Sequence, residues 1–336
     1  MLRLPEFDLR EPETVDEVAA LLAEHPGEAM LIAGGTDLLP NMKHGLFEPK
    51  VLVSLARVEA LRGVRETADG LSIGAMTTLA EVAADERIPP ALAQATGLIA
   101  GPQLRTMGTL GGNVMLDTRC QWYNQTHFWR QALGFCLKKD GTLCHVVEGG
   151  GKCVAAASND SAPALMTLGA TVCFVGPDGP REVAIADLYL TDGIWNKAAT
   201  PDELLVEVRV PAVPAGHRGA YGKLRDRGSI DFPLFGCAAR LDLDEAGAVA
   251  AADLCAVALV ARPSRVKRVD EALVGTTPGT PAFDEAVEAA ADLAYRQCRP
   301  MDNVPGDAAY RREMVPVYVR RTLHAAAAGE GPVHHV

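Results

Sequence analysis

Four cysteines fall within one short window, Cys120, Cys136, Cys144 and Cys153, with 15, 7 and 8 residues between them. Thiolates are soft ligands. Four of them complete the protein share of a 4Fe-4S cluster, one per iron, and equally that of a tetrahedral zinc site. The run lacks the two-residue knuckles of common zinc modules, yet His145 beside Cys144 could replace one sulfur, so ligand type alone leaves cluster and zinc open. The remaining four of the eight cysteines, Cys173, Cys237, Cys255 and Cys298, lie in apolar stretches and read as small buried hydrophobes.

Two glycine clusters offer a different chemistry. In Leu31-Ile32-Ala33-Gly34-Gly35-Thr36-Asp37-Leu38 an apolar run ends in glycines that can turn sharply and present successive backbone N–H groups to an anion, with the Thr36 hydroxyl as a further donor. A pyrophosphate would fit, although a strand followed by Gly-Gly is by itself more often a plain tight turn. Thr109-Leu110-Gly111-Gly112-Asn113 can approach the same ligand without a Cβ in the way, and Thr109 and Asn113 add hydrogen-bonding groups. Together the two would clamp a dinucleotide from both sides. Ser158-Asn159-Asp160 then sets a carboxylate where a ribose or adenine could donate to it; alone, Asp160 is a helix cap.

The elements that must position these residues follow from periodicity. Thr14-x-x-Glu17 reads as a capping box before a helix ending at Pro26-Gly27, followed by the strand Met30–Ala33 and a second strand, Val51–Leu55. Leu71–Ala75 reads as a strand, Thr78-x-x-Glu81 caps a helix, and helical sequence runs from Pro90 to Ala100. From Asn113 to Ser158 neither period persists, and a loop of that length needs a function or a ligand to order it. Regular structure resumes with a helix around Ala162–Leu168 and strands at Thr171–Val175 and Leu204–Val210. Pro211, Pro214 and Gly216 mark a boundary. Beyond it, strands are expected at Phe235–Leu243 and Leu254–Val260, and helices at Ser264–Leu273, Ala282–Tyr295 and Ala308–Ala328.

The two glycine clusters and the later aspartate, in this order, resemble the FAD subunits of the xanthine dehydrogenase and carbon monoxide dehydrogenase medium-subunit family, over nearly the whole chain. The resemblance implies an α+β fold. Residues 1–215 would form an FAD-binding domain of the vanillyl-alcohol-oxidase (PCMH) type, made of two α/β subdomains with an insert at about 116–157. Residues 216–330 would form a C-terminal α+β domain of the CO dehydrogenase flavoprotein type. It places the FAD pyrophosphate on Leu31–Leu38 and on Thr109, Gly111, Gly112 and Asn113, and the nucleotide end on Asp160. Further flavin contacts are implied at Leu205, Lys223 and Ile99, the last aromatic in the xanthine enzymes. Neither turn carries a histidine or cysteine for a covalent flavin bond, so dissociable FAD is expected.

The insert Asp117-Thr118-Arg119-Cys120-Gln121-Trp122-Tyr123-Asn124-Gln125, continuing through Cys136, Cys144-His145-Val146 and Cys153, is similar to that of the β subunits of 4-hydroxybenzoyl-CoA reductases. This second resemblance implies a 4Fe-4S cluster on the four cysteines and removal of a phenolic hydroxyl at molybdenum in another subunit. Electrons would enter from a ferredoxin-like donor and leave through FAD to 2Fe-2S centres. Partners would be a molybdopterin-binding large subunit and a 2Fe-2S small subunit, in a dimer of heterotrimers. The chain itself has no C-x4-C-x2-C run of a plant-type 2Fe-2S domain.

Bulk properties narrow the field. A chain of 336 residues, 48% hydrophobic, can bury two or three domain cores. A net charge of −11 disfavours nucleic acid. No apolar run approaches membrane-spanning length, and residues 1–5 open into polar sequence without signal-peptide character, so a cytoplasmic address is expected. His127, His217, His334 and His335 have no acid–base partner nearby in sequence and receive no role.

Overall fold

The computed structural model describes residues 2–334; Met1 and His335, both part of the sequence reading, lie outside them. Three sheets carry the chain. The first is parallel, built from β1 (Asp8–Arg10), β2 (Ala29–Ile32) and β3 (Val51–Ser54) in the order β1-β3-β2. Helix Val15–Glu24 covers it through buried Val18 and Leu22, four apart on one face. Its cap is one-sided: Thr14 Oγ1 accepts from Glu17 N at 3.2 Å, but the Glu17 carboxylate turns to Glu13 N instead of closing the box. The Thr78 cap is reciprocal, with the Glu81 carboxylate accepting from Thr78 N at 2.8 Å.

The second sheet is antiparallel. It contains β4 (Val64–Thr67), β5 (Gly70–Gly74), β6 (Thr171–Gly176), β7 (Gly179–Ala184) and β8 (Leu204–Pro211), in the order β4-β5-β8-β6-β7. Helices Pro90–Gly97, Leu110–Val114 and Ser161–Thr167 share one buried core with it, including Leu92, Leu110, Leu165 and Phe174, and the first and last of them lie against the third sheet. The third sheet runs β12-β11-β10-β9-β13, from β9 (His217–Leu224), β10 (Phe235–Leu243), β11 (Val249–Val257), β12 (Ser264–Arg265) and β13 (Val333–His334). Helix Pro281–Gln297 buries Phe283, Val287, Ala290 and Ala294 at helical spacing, and Ala308–Ala328 packs beside it.

Several expectations from sequence change in detail. The helix expected over Ser264–Leu273 is two elements, because Ser264 and Arg265 pair with Ala256 and Cys255, and Arg268 at φ +70° interrupts the chain before Val269–Leu273. The strand expected at Leu254–Val260 starts earlier, at Val249, and stops at Val257, where Ala258 takes φ +70°.

The segment from Asn113 to Ser158 holds one short helix, His127–Ala132, capped by Thr126. It is pinched at its neck by reciprocal bonds between Arg119 and Ala156, both 2.7 Å. The rest of the chain then orders it. Gln121 N donates to Asn303 O at 2.7 Å, Asn303 Nδ2 donates to Val154 O at 2.7 Å, and buried Arg130 donates to Gly45 O at 2.9 Å. Each charge-assisted bond from Arg130 contributes about 1.5–3 kcal/mol towards fixing a loop that has little regular structure of its own.

Candidate cofactor sites

The first glycine cluster meets Met107 and Gly108, the residues that lead into the second. Gly35 lies at φ +69°, which only glycine adopts without strain, and a Cβ on Gly34 would overlap the Met107 carbonyl oxygen. Thr36 faces the second turn, since a Cβ on Gly108 would sit 3.4 Å from Thr36 Oγ1. Among the described residues, the N–H groups of Gly35, Thr36 and Asp37 donate to no protein acceptor. Those donors, on a half-buried bend, are what an anion requires.

The second cluster is committed inward. Gly111 N donates to Ala75 O at 2.9 Å, and a Cβ there would lie 2.7 Å from the Ala75 Cβ, so this glycine serves close packing on the residue that follows β5. Thr109 caps helix Leu110–Val114 by accepting from Gly112 N at 3.1 Å, and Asn113 Oδ1 accepts from Ser161 N at 3.1 Å. The hydroxyl oxygen of Thr109 and the Asn113 carbonyl, expected to face a ligand, are therefore engaged with the protein.

Asp160 has a different set of partners from the one expected. It occupies the N-cap position of Ser161–Thr167 but makes no capping bond. Its oxygens accept instead from Tyr221 Oη at 2.8 Å and Lys223 Nζ at 3.0 Å, and Lys223 Nζ also donates to Leu98 O at 3.1 Å. All three side chains are buried. Burial pushes the Asp160 carboxyl up and the Lys223 ammonium down, and their mutual attraction opposes both shifts. Leu205 is likewise buried in the core. The structure thus brings Asp160 and Lys223 together beneath the Leu98–Ile99 turn and leaves Ile99 half-buried at its surface.

The four clustered cysteines all line one small recess of about 20 Å³, partly open to solvent, together with Trp122, Tyr123, Lys138 and His145. Among the described residues, no three His, Cys, Asp or Glu side chains gather closely enough to hold a single metal ion. His145 is engaged, its Nε2 lying 2.6 Å from Phe135 O. Burial pushes the Cys120 thiol up to about 12 and also raises Cys153, and each is raised further by facing other cysteines of the set. Ala155 N–H points at Cys153 Sγ at 3.5 Å.

Sequence reasoning missed two supports of this recess. Lys138 is buried, donating to Asp117 Oδ1 and to Gly193 O, both at 2.8 Å, and lies 4.7 Å over the Tyr123 ring. Gly193 comes from outside the insert: its N–H donates to Cys153 O at 3.0 Å, and a Cβ there would stand 2.7 Å from Cys153 Sγ. Gly193→Ala is therefore expected to lower metal loading several-fold while FAD still binds at saturating concentration, read by metal and flavin analysis of the same sample.

Lys197 holds the entrance to the insert through Leu116 O at 2.9 Å, and burial lowers its pKa to about 7. The unfolded chain, with an ordinary lysine near 10.4, then binds a proton between about pH 7 and 10 that the folded chain lacks. Stability should rise with pH across that window by up to about 1.4 kcal/mol per unit. Lys197→Met should flatten that slope, measured as Tm against pH. His217, given no role from sequence, has its Nδ1 2.8 Å from Asp242 Oδ1.

No helix of the described residues is long and apolar enough to cross a membrane. Comparison with known proteins is consistent along the chain. Residues 5–213 match the FAD binding domain in molybdopterin dehydrogenase, and residues 219–326 match the CO dehydrogenase flavoprotein C-terminal domain. The carbon monoxide dehydrogenase medium chain of Hydrogenophaga pseudoflava is 32% identical over 325 residues, covering 96% of this chain and 97% of that protein. The aldehyde oxidoreductase FAD-binding subunit of Escherichia coli is 35% identical over 244 residues, 69% of this chain and 76% of that one. The solved structure of carbon monoxide dehydrogenase from Hydrogenophaga pseudoflava superposes with a TM-score of 0.79 at 30% identity, over 98% of this chain and all (100%) of its own. With both halves matched in order and the paired glycine turns in contact, the chain belongs to the FAD-binding medium subunits of the xanthine and CO dehydrogenase type of molybdenum hydroxylase.

Proposed function

We propose that this chain is the electron-transfer subunit of a molybdenum-dependent 4-hydroxybenzoyl-CoA reductase, holding FAD on the paired glycine turns and a 4Fe-4S cluster on Cys120, Cys136, Cys144 and Cys153. The observation that carries a metal centre is the recess itself. Tetrahedral zinc, with zinc–sulfur bonds of about 2.3 Å, draws four sulfurs to within about 4 Å of one another. A cubane core holds one sulfur at each iron and keeps them further apart. Four cysteines lining one recess supply a ligand set that either arrangement could use, and the likeness of the insert to that of the 4-hydroxybenzoyl-CoA reductases favours the second. The buried thiols also need a cationic centre to become thiolates, which fits a metal-bearing role.

When bound, FAD and the cluster would supply storage and transfer of electrons. The residues of this chain hold and orient them. The free N–H groups of Gly35, Thr36 and Asp37 would take the pyrophosphate. Ile99 would border the flavin, with the Asp160–Lys223 pair supporting the turn from below and Leu205 packing behind. Gly193, Lys138 and the Ala155 N–H would fix the sulfur positions and favour the reduced state by placing positive charge and donors near them. The substrate chemistry, loss of a ring hydroxyl as water with two electrons and two protons, belongs to a molybdopterin-binding large subunit. A 2Fe-2S small subunit would connect the two, a ferredoxin-like protein would be the donor, and the assembly would be a cytoplasmic dimer of heterotrimers.

The names of the relatives favour a second reading, an oxidative dehydrogenase passing electrons outward; the insert would then be a zinc-stapled surface. Anaerobic purification of the native complex separates them. The first reading requires iron and acid-labile sulfide at about four each per chain beyond the 2Fe-2S content, and dehydroxylation of 4-hydroxybenzoyl-CoA by a low-potential donor. One zinc per chain and no such dehydroxylation would establish the second.

A further inference from the structure

Arg119 stands at the point where the two sites touch. Its backbone forms the neck of the insert with Ala156, and the next residue, Cys120, lines the recess. Its side chain leaves the insert altogether. The guanidinium pairs with Asp37, the last residue of the glycine bend, lies 3.4 Å from Asn41 Oδ1, and sits 4.7 Å over the Phe232 ring of the C-terminal half. Asn41 Nδ2 holds the other Asp37 oxygen at 3.1 Å. The arginine is 7% exposed, and its Nε has no acceptor. A buried guanidinium is costly unless it is paired and hydrogen-bonded, which Asp37 and Asn41 do for all but Nε, so the side chain must also be held in place. Here the fixing comes from the neck. One side chain and one peptide therefore connect a cysteine of the recess to the bend that presents the free N–H groups.

We propose that Arg119 couples the two cofactor sites: anchored at the neck of the cysteine loop, it braces the Gly34–Asp37 bend, so that a filled recess tightens FAD binding and bound FAD steadies the recess. The inference rests on the reading above, FAD at the bend and a metal centre at the cysteines. Arg119 is a positioning residue here, and linkage requires the effect to be reciprocal.

The test is a double-mutant cycle on FAD affinity in the full chain, using Cys136→Ser to empty the recess and Arg119→Gln to cut the brace. With Arg119 present, Cys136→Ser should weaken FAD binding about five- to a hundred-fold, the usual range of intersite coupling. With Arg119→Gln, FAD should still bind, more weakly than in the wild type, and adding Cys136→Ser should change the Kd by less than about twofold. Arg119→Lys should restore part of the coupling. Asp37→Asn, which breaks the pair from the other side, should abolish it and serves if Arg119→Gln does not fold. An unchanged Cys136→Ser effect in both the Arg119→Gln and Asp37→Asn backgrounds, or no effect in the wild type, overturns the coupling. Wild-type protein lacking FAD or metal would instead overturn the functional reading.

Discussion

Gly34→Ala is expected to give a folded protein that has lost its flavin, with the FAD Kd raised about a hundred-fold or more. A methyl at this position runs into the Met107 carbonyl oxygen, a backbone atom that cannot rotate aside. The two bends must separate, and the N–H groups of Gly35, Thr36 and Asp37 lose their common focus. Overpacking of this kind costs about 1–3 kcal/mol even where side chains can yield, and each 1.4 kcal/mol is tenfold in affinity. Gly35 fails for another reason, its φ of +69°, where Val would be worse than Ala. Gly112→Ala is the control, because only the Thr109 hydroxyl stands near, at 3.0 Å, and its effect should stay under tenfold. Flavin content and equilibrium titration decide the matter; full occupancy in Gly34→Ala would remove FAD from the bend.

Cys136→Ser should abolish the broad visible absorbance of an iron–sulfur centre and strip iron and sulfide from the insert, while FAD still binds at saturating concentration. Cys136 is held in a tight turn in which its carbonyl accepts from Lys139 N at 2.9 Å and Gly141 N at 3.2 Å, so its sulfur has a fixed place in the ring of four. A serine there offers a harder oxygen donor with a much higher pKa, a poor match for iron bound among sulfides. Metal analysis and visible spectra of the anaerobically purified variant provide the readout. Loss of one zinc with an unaltered visible spectrum would refute the cluster.

Some long elements were legible in advance. Phe235–Leu243 and Ala308–Ala328 coincide with their elements in the structure, because a nearly continuous buried run in the first and a long helix-forming stretch in the second leave few alternatives. The break at Arg268 was not legible, since an arginine at positive φ carries no compositional mark. At the cofactor sites, sequence located the bends and the cysteines, whose residue types announce their chemistry. It could not reveal that Gly111 serves contact with Ala75, or that the Asp160 carboxylate is taken by Tyr221 and Lys223, more than sixty residues away. Arg119, Lys138 and Gly193 were missed for the same reason. Each matters through a neighbour distant along the chain, and a glycine or a lone basic residue has no spacing rule that would single it out.

The neck between Arg119 and Ala156 also bears on how such a protein can arise. Because the chain departs and returns at two residues that face each other, the stretch between them could be acquired in one genetic event without rethreading the surrounding architecture, and a short turn could reseal the gap at little entropic cost. A stretch with adjoining ends is portable, a natural unit to graft onto a related flavoprotein that lacks it.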